Sequence, residues 1–251
     1  MKKYAIASLG AALLGWASST VSAELTVSAA ASLTDAFTEI GREFERVKAP
    51  HRVIFNFASS GALLQQISRG APVDVFAAAD QETMDRAEQQ NLIVRASRAD
   101  FARNTLVLVA PRDGAIRPNR LEELKSNALR RIAVSNPETV PAGKYAREAL
   151  EAAGLFGPLK EKFITTRNVR QTLDYVARGE VDLGFVYITD AAIMPDKVTV
   201  LFEVPTRTPI TYPIAAVEGS GKEELALEFV QFVRSAPAQS ILRRHGFQPL
   251  R

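Results

Sequence analysis

The sequence predicts an α/β protein with helix-covered sheets, and three observations carry that expectation. Strand-like and helix-like segments alternate along the chain. Several strand candidates, such as residues 105–110 (TLVLVA), are unbroken apolar runs, the pattern of strands covered on both faces. The composition, 47% hydrophobic and 24% charged, is that of an ordinary globular chain. At 251 residues the chain can build one large or two modest domains around a real core.

The elements follow in order. Residues 25–29 read as a strand. Leu33, Phe37, Ile40 and Phe44 recur at helical spacing and predict a helix over 33–48, with Ser32 as N-cap and Asp35 completing a capping box. Residues 52–57 form a second strand. Ser59, Ser60 and Gly61 then lead into a helix through Leu63 and Ile67 that ends at Gly70 and Pro72. Residues 73–77 are a third strand, apolar apart from Asp74. Asp80 caps a helix over Met84, Ala87 and Leu92. The run 105–110 stops at Pro111. Residues 121–129 look helical, 131–135 a strand, 136–143 a loop and 144–153 a helix. A brief strand at 163–165 precedes Asn168, which caps a helix over Val169, Leu173 and Val176 that stops at Gly179. A strand at 183–187, a short helix at 189–194, strands at 198–204 and 210–217, and helices at 223–234 and 236–245 complete the chain. No Pro/Gly/Ser-rich linker divides it. Two lobes would therefore need strands that cross between them, and 105–110 and the strand ending at Val217 are the candidates.

Residues 1–23 read as a leader. Lys2 and Lys3 precede an apolar run too short to span a bilayer, and Val21-Ser22-Ala23 supplies small residues at the cut. Cleavage before Glu24 takes Trp16, the single tryptophan, with it. The charge of +3 falls to +1, because Lys2 and Lys3 leave with no acidic residue. Such a charge argues for neither nucleic acid nor membrane binding. With no second apolar run and no cysteine for a lipid anchor, the mature chain is expected to be freely soluble. In a bacterial source that places it in the periplasm.

Residue types exclude much chemistry. No cysteine means no disulfide, thiolate metal site or cysteine nucleophile, and two histidines leave little for a metal cluster or proton relay. G-x-S-x-G, S-x-x-K, H-E-x-x-H and G-x-x-x-x-G-K are absent. Small or hydroxyl residues do recur where a strand meets a helix: Ala31-Ser32, Ser59-Ser60-Gly61, Pro141-Ala142-Gly143 and Asn168-Val169. A helix N-terminus carries unpaired N–H groups and the positive end of the dipole. Four such junctions without a lysine or arginine among them point to an anion held by neutral donors.

These same stretches resemble the periplasmic molybdate-binding proteins of ABC importers, which have the type II solute-binding fold. The resemblance rests on Ala29-Ala30-Ala31-Ser32-Leu33-Thr34-Asp35-Ala36, Phe57-Ala58-Ser59-Ser60, Gly70-Ala71-Pro72-Val73-Asp74 and Ala78-Ala79-Asp80-Gln81. It continues through Pro137-Glu138, Val140-Pro141-Ala142-Gly143, Tyr145-Ala146, Val186-Tyr187, Asp190-Ala191, Tyr212-Pro213-Ile214-Ala215 and Gly246-Phe247, covering essentially the whole mature chain. It implies a two-lobed periplasmic binding protein, with mixed sheets and a hinge of crossing strands. Lobe I would comprise 24–103 plus 216–251, and lobe II 104–215, with the ligand in the cleft between them.

The resemblance also implies the contacts. Ser32 and Ser60 would donate hydroxyl and backbone N–H, Ala142 and Val169 backbone N–H, and Tyr187 its phenol. Molybdenum would be bound only as its oxyanion, through those residues, with no cofactor and no catalysis. The partners would be molybdate or tungstate and a membrane permease, and the protein a monomer. A binding protein for sulfate or another tetrahedral oxyanion, or a secreted α/β enzyme, remains as the alternative.

Overall fold

Among the residues described by this computed structural model, 22–250, ten strands form two five-stranded sheets. The leader assigned to 1–23 lies outside the described residues except for Ser22 and Ala23.

The first half of the chain runs β1 (Glu24–Ala30), α1 (Thr34–Val47), β2 (Arg52–Ala58), α2 (Ser60–Ser68), β3 (Val75–Ala77), α3 (Gln81–Gln89), β4 (Ala99–Asn104) and β5 (Leu106–Pro111). It continues through β6 (Ile132–Ser135), α4 (Pro141–Ala152), α5 (Phe156–Leu159), β7 (Phe163–Thr166), α6 (Val169–Ala177), β8 (Leu183–Tyr187) and α7 (Ile188–Ala191). Strands β9 (Val198–Glu203) and β10 (Ile210–Ala216) precede α8 (Glu223–Val233) and α9 (Ala236–Arg244).

The sheets are ordered β2-β1-β3-β10-β4 and β7-β6-β8-β5-β9. In each, three parallel strands are followed by one that runs the other way, and the fifth, antiparallel to the fourth, returns to the first direction. The two lobes thus share one design with an exchange of strands. The fourth strand of each sheet is continuous in sequence with the fifth strand of the other. Thr105 alone separates β4 from β5, and residues 204–209, which include Pro205 and Pro209, separate β9 from β10. A proline lacks the N–H a sheet ladder needs, so both suit a segment between sheets.

Apolar burial fixes the helices to the sheets. In α1, Phe37, Ile40 and Phe44 are fully buried, and Phe44 meets Phe229 of α8 edge-on with ring centroids 5.1 Å apart. Each such side chain contributes about 1.5–3 kcal/mol on burial. In the second lobe Leu173 and Val176 turn the inner face of α6 onto its sheet. Glu39 of α1 pairs with both Arg244 and His245, tying the chain's end to its first helix.

Several expectations change. The helix over 33–48 opens with a tight 3-10 turn, Ala31–Leu33, and the α-helix proper is capped by Leu33 without a side-chain bond. Ser32 is therefore not its N-cap, because its hydroxyl is committed to Tyr212 at 3.0 Å. The loop expected at 136–143 ends earlier: Pro141 occupies the first turn of α4, where its missing N–H costs nothing. The helix expected over 121–129 is a single 3-10 turn, Leu121–Lys125, with Leu124 as its only buried residue. Strand β4 and the one-turn α5 were not expected. Strand β10 lies in the first sheet, so residues 210–215 belong with β3 and β4 rather than with 104–209. Tyr212, Ile214 and Ala215 are buried there. The caps at Asp80 and Asn168 are as expected, accepting from Thr83 and Gln171 N–H respectively.

Candidate functional site

The parallel strands of both sheets end at one place. The residues that follow β1 and β2 in the first lobe face those that follow β6 and β7, and the last residue of β8, in the second. Between them lies a small cavity lined by Ser32, Ser60, Ala142, Val169 and Tyr187. All five residues singled out from sequence thus meet at one cavity. Ala30, Ala31, Ala58, Ser59, Ala79, Val140, Pro141 and Asn168 complete the wall, and none of the lining residues is charged. The room for the centre of a water-sized sphere, about 10 Å³, is far below the roughly 300–1,000 Å³ typical for drug-sized ligands, so the space excludes an organic molecule of that size.

Backbone geometry supplies donors. Ser60, Ala142 and Val169 lie in the first turns of α2, α4 and α6, where N–H groups have no intrahelical acceptor. The first intrahelical acceptor in α4 is Val140 O, which receives Lys144 N–H, so Ala142 N–H stays free of the helix. In α6 the Asn168 side chain takes only the Gln171 N–H, which leaves Val169 N–H uncapped.

Side chains continue the pattern. Ser60 Oγ accepts the Ala79 N–H at 3.0 Å, which leaves its own proton to donate. Tyr187 is fully buried and its hydroxyl has no hydrogen-bond partner. Burial, with the nearby Tyr212, Tyr145, Asp80 and Asp190, pushes its phenol well above the ordinary range, so it remains a donor. A buried unpaired hydroxyl costs about 1–3 kcal/mol, so this one requires an explanation. An acceptor occupying the cavity provides one.

The lobes also touch around the cavity. Gly61 N–H donates across the cleft to Thr139 O at 3.0 Å, and a Cβ on Gly61 would stand 2.7 Å from that oxygen. Lys144 of α4 pairs with Glu82 of α3. Arg170 of α6 reaches the Ser32 carbonyl at 3.3 Å and Asp35 at 2.8 Å, while its Nε stands 2.7 Å from the buried Asp190 of its own lobe. The structure is therefore a closed one, with charged pairs outside a neutral cavity.

Sequence reasoning missed Arg170, Asp190, Asn104 and Tyr212. Arg170 follows Val169 directly and was the findable one: a basic residue one position inside a candidate helix start. Asp190 accepts the Tyr187 N–H, three residues back, at 3.2 Å, but its charged partner Arg170 lies on α6 and is not local.

Burial lifts the Asp190 carboxyl to about 6, against the pull of Arg170 and the Tyr187 N–H. The folded protein therefore holds this proton more tightly than the unfolded chain does. The stability it contributes is present below about pH 4 and is lost as pH rises through 6. Thermal denaturation of the wild type beside Asp190→Asn should show it. The wild type should lose ground to the variant between pH 4 and 6, and the gap should level off above. A gap that does not vary with pH would rule out this titration.

A two-lobed α/β fold with a donor-lined cavity where the parallel strands end defines a solute-binding protein. The chain belongs to the bacterial extracellular solute-binding protein family, which matches residues 25–248. It is 37% identical over 230 residues to the molybdate-binding protein ModA of Escherichia coli, covering 89% of this chain and 88% of that one. With ModA of Haemophilus influenzae it shares 34% identity over 232 residues, 90% of each chain. The structure of the Azotobacter vinelandii periplasmic molybdate-binding protein superimposes with a TM-score of 0.79 at 25% identity, covering 90% of this chain and all of that one.

Proposed function

We propose that this chain captures molybdate, and tungstate with it, in the periplasm and hands the unaltered ion to the membrane permease of an ABC importer, acting as a monomer. The observation that carries the reading is the buried, unpartnered Tyr187 hydroxyl in a cavity whose other groups donate. Ser32, Ser60, Ala142 and Val169 add hydroxyl and amide donors from both lobes.

Molybdate is a dianion with acceptor atoms only, so a cavity with hydroxyl and amide donors and no carboxylate suits it. Monohydrogen phosphate carries a proton that needs an acceptor, and no Asp or Glu lines the cavity. Sulfate has the same charge and shape but is smaller, so cavity size must discriminate against it. Tungstate is nearly the size of molybdate and should bind comparably. Because the donors come from both lobes, the ion bridges them, and binding and closure favour each other.

A thermal-shift panel tests the reading. A ligand that binds only the folded state stabilises it by about 2.7 kcal/mol at a hundred times its Kd. Molybdate and tungstate should raise the melting temperature, with sulfate and phosphate far weaker. No shift with molybdate, or a larger one with sulfate, would overturn the assignment.

A further inference from the structure

We propose that Asn104, acting through Tyr212, fixes the direction of the Ser32 hydroxyl so that the cavity gives protons and does not receive them. Both would be positioning residues for selectivity against protonated oxyanions. The proposal rests on the reading of the cavity as an oxyanion site.

The direction can be followed atom by atom. Asn104 ends β4, at the point where the chain crosses from the first sheet to the second. The Thr105 N–H stands 2.9 Å from Asn104 Oδ1, and a backbone N–H can only donate. That pins the amide: its oxygen faces Thr105, and its nitrogen faces the Tyr212 hydroxyl at 3.1 Å and Thr189 Oγ1 at 2.9 Å. An amide nitrogen has no lone pair to offer, so the Tyr212 oxygen must accept from it. The phenol proton of Tyr212 then has one acceptor within reach among the described residues, Ser32 Oγ at 3.0 Å. Ser32, having accepted, can direct its own proton only elsewhere, and it lines the cavity.

The opposite sense fails on the same inventory. If Ser32 donated to Tyr212, the phenol proton would be buried with no acceptor, since Tyr212 is fully buried. Ser60 reaches the same polarity by a shorter route, because its oxygen is occupied directly by the Ala79 N–H. Both serines therefore present O–H to the cavity, one set by a backbone amide and the other by a relay that begins at one.

Asn104→Asp is nearly isosteric and replaces the donor with an acceptor. Tyr212 would then donate to the introduced carboxylate and accept from Ser32, whose proton would turn out of the cavity. The readout is the ratio of affinities for molybdate and hydrogen phosphate, from calorimetry and competition at a mildly alkaline pH where both are dianions. The added charge repels both alike, so the ratio isolates hydrogen-bond direction. Asn104→Asp should shift the ratio toward hydrogen phosphate by about tenfold or more. Tyr212→Phe, which cuts the relay and frees the Ser32 hydroxyl to rotate, should shift it in the same direction by less. Folded variants that keep the wild-type ratio would overturn the relay while leaving the oxyanion site standing. If Asn104→Asp does not fold, Tyr212→Phe decides by the same criterion. A wild type that binds neither anion would remove the oxyanion reading and the relay with it.

Discussion

Tyr187→Phe should weaken molybdate binding by about tenfold to a hundredfold while leaving the ligand-free protein at least as stable as the wild type. The phenol is fully buried at the end of β8, 5.9 Å from the Tyr212 ring between centroids, and its hydroxyl touches no acceptor. Removing it deletes no hydrogen bond within the protein. The ring keeps its packing, and a buried unpaired polar atom disappears. With an anion in the cavity the balance reverses, because a buried hydrogen bond to a charged group is worth about 1.5–3 kcal/mol. Calorimetry and thermal denaturation of the two proteins, each with and without molybdate, measure both halves. An unchanged Kd would remove Tyr187 from the site. A matching loss of stability without ligand would assign the residue to the core alone.

Gly143→Ala should destabilise the fold by about 3 kcal/mol or more, at the severe end of overpacking. A Cβ at that position would lie 1.9 Å from the Ser135 carbonyl oxygen and 2.6 Å from its carbon. Both are backbone atoms at the end of β6, so no side chain can swing aside. Beneath them the Ser135 hydroxyl is held by Thr172 at 2.9 Å and Thr166 at 3.1 Å, which stiffens the strand end further. The first turn of α4 must then lift, and the Ala142 amide lifts with it, so binding should suffer alongside stability. Urea denaturation reads the first effect through a lower midpoint at an unchanged slope. Gly157→Ala is the control: nothing lies within 4 Å of its added carbon, and its change should stay within about 0.5 kcal/mol. Equal midpoints for the two variants would refute the close approach of α4 to β6.

What could be read from the sequence was local. Asp80 and Asn168 cap helices through bonds to residues three positions on, so the chain alone displays them. β8 has the bounds 183–187 expected of its apolar run. Ser32, Ser60 and Ala142 stood out because small residues at a strand-to-helix junction form a short pattern, whereas Val169 carried no side-chain signal and depended on the family resemblance. The errors were non-local. Ser32 and Asp35 have the spacing of a capping box, yet Tyr212 takes the first and Arg170 the second. Tyr212 is 180 residues away, a separation no window of periodicity can span. β4 was hidden because Asp100 and Arg103 interrupt its apolar pattern, and its pairing partner β10 arrives more than a hundred residues later.

That late arrival governs how the molecule can assemble. β10 lies between β3 and β4, so the first sheet has a gap at its fourth place until residue 216 exists. The second sheet draws all its strands from 106–203 and needs nothing from either end of the chain. A polypeptide growing from its N-terminus therefore starts one lobe, finishes the other, and only then returns to close the first. The wall with Ser32 and Ser60 thus rests on a sheet complete only with residue 216, whereas the wall with Ala142, Val169 and Tyr187 rests on one complete by residue 203.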